Sequence, residues 1–328
     1  MDWLKSLYPE VWDILRKAVP EYWPELSQVV NWLIGDQLIP EAILPLASCK
    51  AVGGEARKAI HVSAALIAAA TSLRVLDDLE DQDRPSALWN QVGTARTWNY
   101  AAAFQSMSFD LLGQAPLEPL RAHQIISAFI DMYLHMTYGQ DRDIIGNTRS
   151  IEEYWATVAE KIAYGYATGC AVGAMVATDK TDLIKACRDF GFHLGFVIQI
   201  VNDLQSIWSP RGVTDLKQGK VTLPLLYGLT TDHPKRDELA ILTRDGKIAP
   251  HEERIKEILD SIDTKSFLIW TALTERDRAL QAISLCPDSE GRQALEAYVT
   301  GLFGDIEPLM PIEKGTPPGG EQQSKPKK

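Results

Sequence analysis

The chain has 328 residues, of which 45% are hydrophobic and 23% charged, and 33 basic against 44 acidic residues give it a formal net charge of −11. This composition is that of an ordinary globular protein, and it excludes a disordered, collagen-like or disulfide-rich chain as the main class. The acidic balance argues against nucleic acid as a partner.

The chain begins with a helical pattern and carries no predicted export or membrane signal. Apolar residues from Trp3 to Leu15 recur at helical spacing, and the acid at position 2 argues against a signal peptide. The most apolar later stretches, residues 64–70 and 162–177, are shorter than the roughly 18–20 residues that a membrane span requires. Four widely spaced cysteines predict neither a zinc cluster nor a disulfide framework. We therefore expect a soluble, cytoplasmic protein without a transmembrane segment.

The remaining segments predict an all-α fold. Long apolar stretches rich in Ala, Leu, Ile and Glu alternate with short clusters of Gly, Pro and Asp, and strand-like alternation is hardly visible. The pattern predicts one large helical bundle over residues 1–307. Residues 308–328, rich in Pro, Gly and Lys, are predicted to form a disordered tail because they cannot bury apolar surface.

A first acidic cluster, DDLEDQD, occupies residues 77–83. Asp77 and Asp81 are four apart, so on a helix both carboxylates point the same way, with Asp78 one position round. Like charges at this spacing repel each other, and the C-terminal end of a helix disfavours anions. Both penalties indicate a compensating cation, for which Mg²⁺ is the natural candidate. The alternative is a solvated acidic helix end.

A second polar cluster follows an apolar run at residues 190–201. Asn202 and Ser206 are four apart and could place two oxygen ligands on one helix face, with Asp203 beside them. Such residues near a helix end are more often caps or turn residues. Paired with the first cluster, however, they could clamp a metal ion between two facing helices.

A third segment, DLKQGKVTLPLL, covers residues 215–226. Its Gly219-Lys220 pair is not a P-loop, because Thr214 occupies the position of the required first glycine and no strand precedes it. Lys220 could still meet a phosphate group as a point charge.

Together these motifs resemble the polyprenyl synthetase family, the trans-isoprenyl diphosphate synthases, from about Gly35 to Leu229. The segment Gly139-Gln140 and the lysine at position 161 are similar to smaller family motifs. The resemblance implies an all-α fold around an apolar cavity, a homodimer, and Mg²⁺ ions that bridge both acidic motifs to an allylic diphosphate. Ionisation would expel pyrophosphate and leave an allylic cation in a dry cavity.

The resemblance also implies roles for individual residues. The predicted metal ligands are Asp77, Asp78, Asp81, Asn202 and Ser206. The predicted diphosphate-binding residues are Arg84, Lys161, Gln199 and Lys220. Asp77, Asp81 and Lys220 are the expected catalytic residues, and Ser72 and Leu73 would set the depth of the cavity. Arg74, in an otherwise apolar run, could pair with an acid, contact diphosphate or reach the surface, and the surface role is the default for such a side chain.

Two departures from the family pattern bear on the reaction. Elongating members bind isopentenyl diphosphate through a Gly-Lys-Arg-x-Arg-Pro segment, whereas residues 35–40 here read GDQLIP, so Asp36 replaces the lysine. A carboxylate would repel that diphosphate. The sequence NDLQS resembles the second metal motif of class I terpene synthases, although Pro210 stands where their glutamate is found.

We therefore expect a terpene synthase or cyclase that acts on a C15 or C20 allylic diphosphate. Three alternatives remain open: a prenyltransferase to an acceptor other than isopentenyl diphosphate, a chain-elongating synthase, and an inactive partner subunit.

Overall fold

The computed structural model describes residues 2–34, 39–82, 86–146, 148–208, 222–244 and 249–305. Within these ranges every regular element is helical, and no strand is present. The prediction of an all-α fold is confirmed. The predicted C-terminal tail lies outside the described residues.

Fifteen α-helices occupy the described part of the chain, joined in places by short 3₁₀ turns. They are α1 (Asp2–Lys17), α2 (Pro24–Ile34), α3 (Pro40–Ala51), α4 (Ile60–Asp81), α5 (Leu88–Val92), α6 (Thr94–Gly113), α7 (Pro119–Ile145), α8 (Ile151–Val158), α9 (Tyr164–Ala177), α10 (Thr181–Trp208), α11 (Leu223–Thr230), α12 (Arg236–Thr243), α13 (Glu252–Ser261), α14 (Thr264–Ile283) and α15 (Glu290–Gly301).

Helix α4 lies at the centre of the bundle. Nearly all of its first twelve residues are buried, so it is apolar around its whole circumference, as expected of a core helix. It packs mainly against α6, while α10 packs against α9 and α14, and α3 packs against α9. The stretch Ala56–Asp81 is long and apolar enough to cross a membrane, but 72% of its most apolar window is buried inside the protein. Its hydrophobicity is thus accounted for by the core.

A single turn of π-helix, Ala159–Ala163, joins α8 to α9 and carries Lys161. Such turns are rare and occur frequently at functional sites. Helix α7 approaches this turn so closely that a Cβ atom on Gly139 would lie 2.3 Å from the backbone nitrogen of Lys161. Only a glycine allows this approach, which places the lysine against α7.

Candidate active site

A cavity of about 280 Å³ opens between α3, α4, α7, α9 and α10. Most of its wall is apolar, which is typical of small-molecule sites. The apolar lining residues are Leu44, Leu66, Ala70, Leu73, Leu76, Met132, Met136, Ile162, Gly165 and Ile198. The polar lining residues are Glu41, Arg74, Asp77, Glu80, Thr137, Gln140, Lys161, Tyr166 and Asn202.

Lys161 occupies the wall of the cavity between two carboxylates. Its Nζ lies 2.9 Å from Asp77 Oδ1 and 2.7 Å from Asp143 Oδ2. Burial by itself lowers the pKa of the Lys161 ammonium, but the two carboxylates outweigh it and hold that pKa above its ordinary value. The lysine is therefore charged at physiological pH and joins the first acidic cluster on α4 to α7.

The first acidic cluster forms the last turn of α4. Asp77 lines the cavity, and both Asp78 and Asp81 are half-buried in the same turn. On the same rim, Gln140 Nε2 donates a hydrogen bond to Glu80 Oε2 at 2.9 Å. Of these acidic groups Asp77 and Glu80 line the cavity, whereas the predicted metal ligands Asp78 and Asp81 do not, and the helix dipole disfavours negative charge at this end of α4.

The second polar cluster lies near the end of α10, and its members have different surroundings. Asn202 is exposed and lines the cavity. Gln199 donates from Nε2 to Asp203 Oδ1 at 2.8 Å, and Ser206 is buried and donates from Oγ to the Asp203 carbonyl at 2.9 Å. Of the three predicted site residues on α10, only Asn202 lines the cavity.

Asp203 is the buried centre of this region, with 1% of its surface exposed. Its Oδ2 accepts a hydrogen bond from the Tyr154 hydroxyl at 2.7 Å and another from the backbone nitrogen of Leu223 at 2.9 Å. The carboxylate thereby ties α8 and α11 to α10, and it lies at the N-terminus of α11, where the helix dipole favours an anion. The sequence analysis placed Asp203 beside the predicted metal ligands. In the structure its hydrogen bonds instead join three helices, which is a structural role.

The residues expected to set cavity depth face different ways. Leu73 lines the cavity. Ser72 is buried and donates from Oγ to the carbonyl of Ala101 at 2.9 Å, so its hydroxyl faces α6. Arg74 lines the cavity and pairs through Nη2 with Glu41 Oε1 at 3.0 Å, while 44% of its side chain is exposed. Both the acid-pairing and the surface interpretations therefore apply to Arg74.

Several predicted residues lie outside the described part of the chain. They are Asp36, Arg84, Pro210 and Lys220. Their predicted roles stay predictions.

The donor set facing the cavity suits a hard divalent ion. Among the described residues, no three His, Cys, Asp or Glu side chains already converge on one point as a closed metal cage. Mg²⁺ does not require such a cage, because it is commonly held by one or two carboxylates together with water and substrate phosphates. Asp77 on α4 and Asn202 on α10 both line this cavity and both carry side-chain oxygen atoms. These residues fit an ion that reaches full coordination only with a bound phosphate.

Known proteins with similar sequences are prenyl diphosphate synthases. A heptaprenyl diphosphate synthase component 2 of Geobacillus stearothermophilus is 27% identical over 300 residues, which cover 86% of this chain and 90% of the relative. The octaprenyl diphosphate synthase of Escherichia coli (strain K12) is 23% identical over 275 residues, which cover 77% and 81%.

Solved structures share the fold at lower identity. The geranylgeranyl pyrophosphate synthetase of Pyrococcus horikoshii Ot3 has a TM-score of 0.81 at 20% identity, with 91% of this chain and 98% of that chain covered. The geranylgeranyl pyrophosphate synthase of Corynebacterium glutamicum, complexed with calcium and isoprenyl diphosphate, has a TM-score of 0.80 at 21% identity, with 93% and 96% covered.

The sequence profile described as Polyprenyl synthetase matches residues 41–262, which is more than half of the chain. This range contains the cavity, Lys161 and both polar clusters. The resemblance inferred from the motifs is confirmed, and the chain belongs to the polyprenyl synthetase family.

Proposed function

We propose that the protein catalyses Mg²⁺-dependent ionisation of an allylic prenyl diphosphate and transfers the prenyl group as a prenyltransferase. The observation that carries this proposal is the Lys161 ammonium, held between Asp77 and Asp143 on the wall of an apolar cavity. A charged group beside an apolar cavity suits a substrate with an anionic head and a hydrocarbon tail.

Each part of the cavity has a role in this reaction. Asp77, Asp78, Asp81 and Asn202 would hold the metal ion, which when bound supplies positive charge to the departing diphosphate. Lys161 would exchange a carboxylate partner for a diphosphate oxygen, and its charge favours the pyrophosphate as the carbon–oxygen bond breaks. The apolar walls, including Leu73 and Met136, would keep water from the resulting cation.

Chain elongation is the fate of the cation that the relatives support best, because they are named as synthases of long prenyl diphosphates. The terpene synthase expected from the sequence finds no such support among them. It stays a second candidate on one observation, the aspartate at position 36, because Ser206 of the second polar cluster is buried and does not line the cavity. Transfer to another acceptor would also follow from a lost isopentenyl diphosphate site.

Product analysis separates these reactions. The chain would be incubated with Mg²⁺ and with radiolabelled farnesyl or geranylgeranyl diphosphate, each with and without isopentenyl diphosphate. We expect labelled products longer than the starting diphosphate only when isopentenyl diphosphate is present. A hydrocarbon or terpene alcohol formed without a second substrate would establish the second candidate and refute elongation. If no pyrophosphate were released under any of these conditions, the proposal as a whole would be refuted.

A second copy of this chain is the proposed partner. Ile130, Leu134 and Tyr138, spaced by four on α7, are 45%, 66% and 54% exposed and form an apolar stripe. Stripes of this kind mark protein interfaces. We expect a solution mass of about two chains by light scattering, and a Leu134→Glu variant of about one, because a buried charge weakens an apolar interface strongly.

Leu285→Glu is the matched control for this test, because Leu285 is 70% exposed but follows α14 and is not part of the stripe on α7. It should leave the mass unchanged. A single-chain mass for the unmodified protein would contradict the homodimer and would suit a chain that pairs with a different subunit.

We also infer a cytoplasmic location. All four cysteines are buried free thiols. This suits a reducing compartment. Cell fractionation should recover the protein with the cytosol, and recovery with membranes or outside the cell would contradict the inference.

A further inference from the structure

One face of α7 runs along the π-helical turn that carries Lys161. His135, Gly139 and Asp143 are spaced by four residues and therefore lie on the same face of that helix. Asp143 Oδ2 lies 2.7 Å from Lys161 Nζ, and a Cβ atom on Gly139 would lie 2.6 Å from the Cα of Lys161. The third member, His135, has no role in the ionisation proposed above.

His135 contacts this segment at two points. Its Nδ1 lies 2.5 Å from Oε2 of Glu160, the residue before Lys161. Because a carboxylate only accepts hydrogen bonds, the imidazole nitrogen is the donor. The imidazole also stacks on the ring of Tyr164, the first residue of α9, with the ring centroids 3.8 Å apart and the planes 9° apart. His135 therefore holds residues on both sides of Lys161.

Helix α10 contacts the end of the same segment. A Cβ atom on Gly195 would lie 2.5 Å from the Cα of Ala163, the last residue of the turn. The ring of Phe192 meets the ring of Tyr164 edge-on, at 6.3 Å between centroids. The end of the turn is thus packed closely against α10, while the side-chain hydrogen bond to Glu160 comes from α7.

Lys161 depends on such support because its two carboxylate partners do not stay equivalent during the proposed reaction. Asp77 is the expected metal ligand, and Lys161 would exchange a carboxylate partner for a diphosphate oxygen. The flexible four-carbon stem of a lysine does not fix the ammonium by itself. The position of the ammonium then depends on the backbone of the π-helical turn, which is a rare conformation and needs tertiary contacts to persist.

We propose that His135 is a positioning residue for Lys161. Its hydrogen bond to Glu160 holds the turn against α7, so that the ammonium meets the diphosphate in the orientation that favours departure of pyrophosphate. Among the described residues that line the cavity, neither His135 nor Glu160 is found, so both act through the turn and not on the substrate. This rests on the function proposed above and holds for each fate of the prenyl cation.

A double-mutant cycle on the rate of pyrophosphate release tests the proposal, with farnesyl or geranylgeranyl diphosphate and Mg²⁺ at saturation. We expect His135→Ala to lower the rate about tenfold, because even a displacement of 1 Å can cost about a hundredfold. Lys161→Met removes the charge and should lower it about a hundredfold. If His135 acts through Lys161, the double variant should be within about twofold of Lys161→Met.

Two further variants show which property of His135 matters. His135→Asn places an amide N–H where the imidazole has Nδ1, so it should recover a rate within about threefold of the unmodified protein. His123→Ala is the matched control, because His123 is exposed on the same helix about three turns earlier and does not line the cavity. It should leave the rate within about twofold of the unmodified value.

Three results would overturn the proposal. They are a His135→Ala rate equal to that of the control, a double variant about tenfold slower than Lys161→Met, and a His135→Asn rate as low as that of His135→Ala. The second would mean that the two effects multiply and that His135 supports the fold in general. If His135→Ala does not fold by circular dichroism, Glu160→Ala removes the same hydrogen bond and takes its place in the cycle. Failure of the proposed function would be visible separately, as absent release from the unmodified protein, and would refute the positioning role with it.

Discussion

Replacing Asp77 with asparagine is expected to lower the rate of pyrophosphate release by about a thousandfold, the effect of removing one group that stabilises a developing charge. Asparagine keeps the size of the side chain and removes its charge. Two functions would be lost together, since Asp77 both faces the cavity as the expected metal ligand and lies 2.9 Å from Lys161. The rate would be measured with farnesyl or geranylgeranyl diphosphate at saturating Mg²⁺.

Asp179→Asn provides the matched control for this substitution. Asp179 also pairs with a cation, at 2.7 Å from Arg121 Nη2, but its side chain is 84% exposed and does not line the cavity. Its replacement should leave release within about twofold of the unmodified rate, because exposed ion pairs contribute little. A rate for Asp77→Asn similar to that control would refute the assignment of Asp77.

Replacing Asp203 with alanine is expected to lower the free energy of unfolding by about 3–5 kcal/mol, the usual loss when one partner of a buried charged network is removed. The Tyr154 hydroxyl, the Gln199 amide and the Leu223 backbone nitrogen would each lose their acceptor. The last loss also uncaps α11. Urea unfolding followed by circular dichroism would measure the change.

Asp260→Ala offers a comparison, because Asp260 contacts the last residue of α10. Asp260 accepts one hydrogen bond from Trp208 Nε1 at 2.8 Å, and its side chain is 45% exposed. We expect a loss of about 1 kcal/mol there, the net value of a single hydrogen bond. If Asp203→Ala were no less stable than Asp260→Ala yet released no pyrophosphate, Asp203 would act in catalysis, and its structural role of joining three helices would be refuted.

The fold could be predicted because its signals are local. Helical periodicity, an apolar α4 and an acidic cluster at its end are all readable along one segment, and Asp77 indeed lines the cavity. The same reasoning missed the π-helical turn at Ala159–Ala163, since nothing in that local sequence breaks an α-helix. The turn packs closely against Gly139 on α7, a contact that only the tertiary structure reveals.

The pairings within the site depend on distant residues and were largely hidden from the sequence. Arg74 stood out in an apolar run, but its partner Glu41 is 33 residues away on another helix. Ser72 and Leu73 are neighbours in the sequence and were expected to share the cavity, yet a helix turns successive side chains apart, so that only Leu73 faces it. In the second cluster, the hydrogen bonds of Gln199 and Ser206 to Asp203 compete with roles in the cavity.

Single-turnover release of pyrophosphate tests the central claim most directly. The unmodified protein, in excess over farnesyl or geranylgeranyl diphosphate, would be assayed with Mg²⁺ and again after removal of divalent ions by a chelator, with isopentenyl diphosphate present and absent. We expect release that requires Mg²⁺ and that returns when the ion is restored. Release unaffected by the chelator, or no release from either diphosphate under any of these conditions, would contradict the assignment of this cavity as a metal-dependent prenyltransferase site.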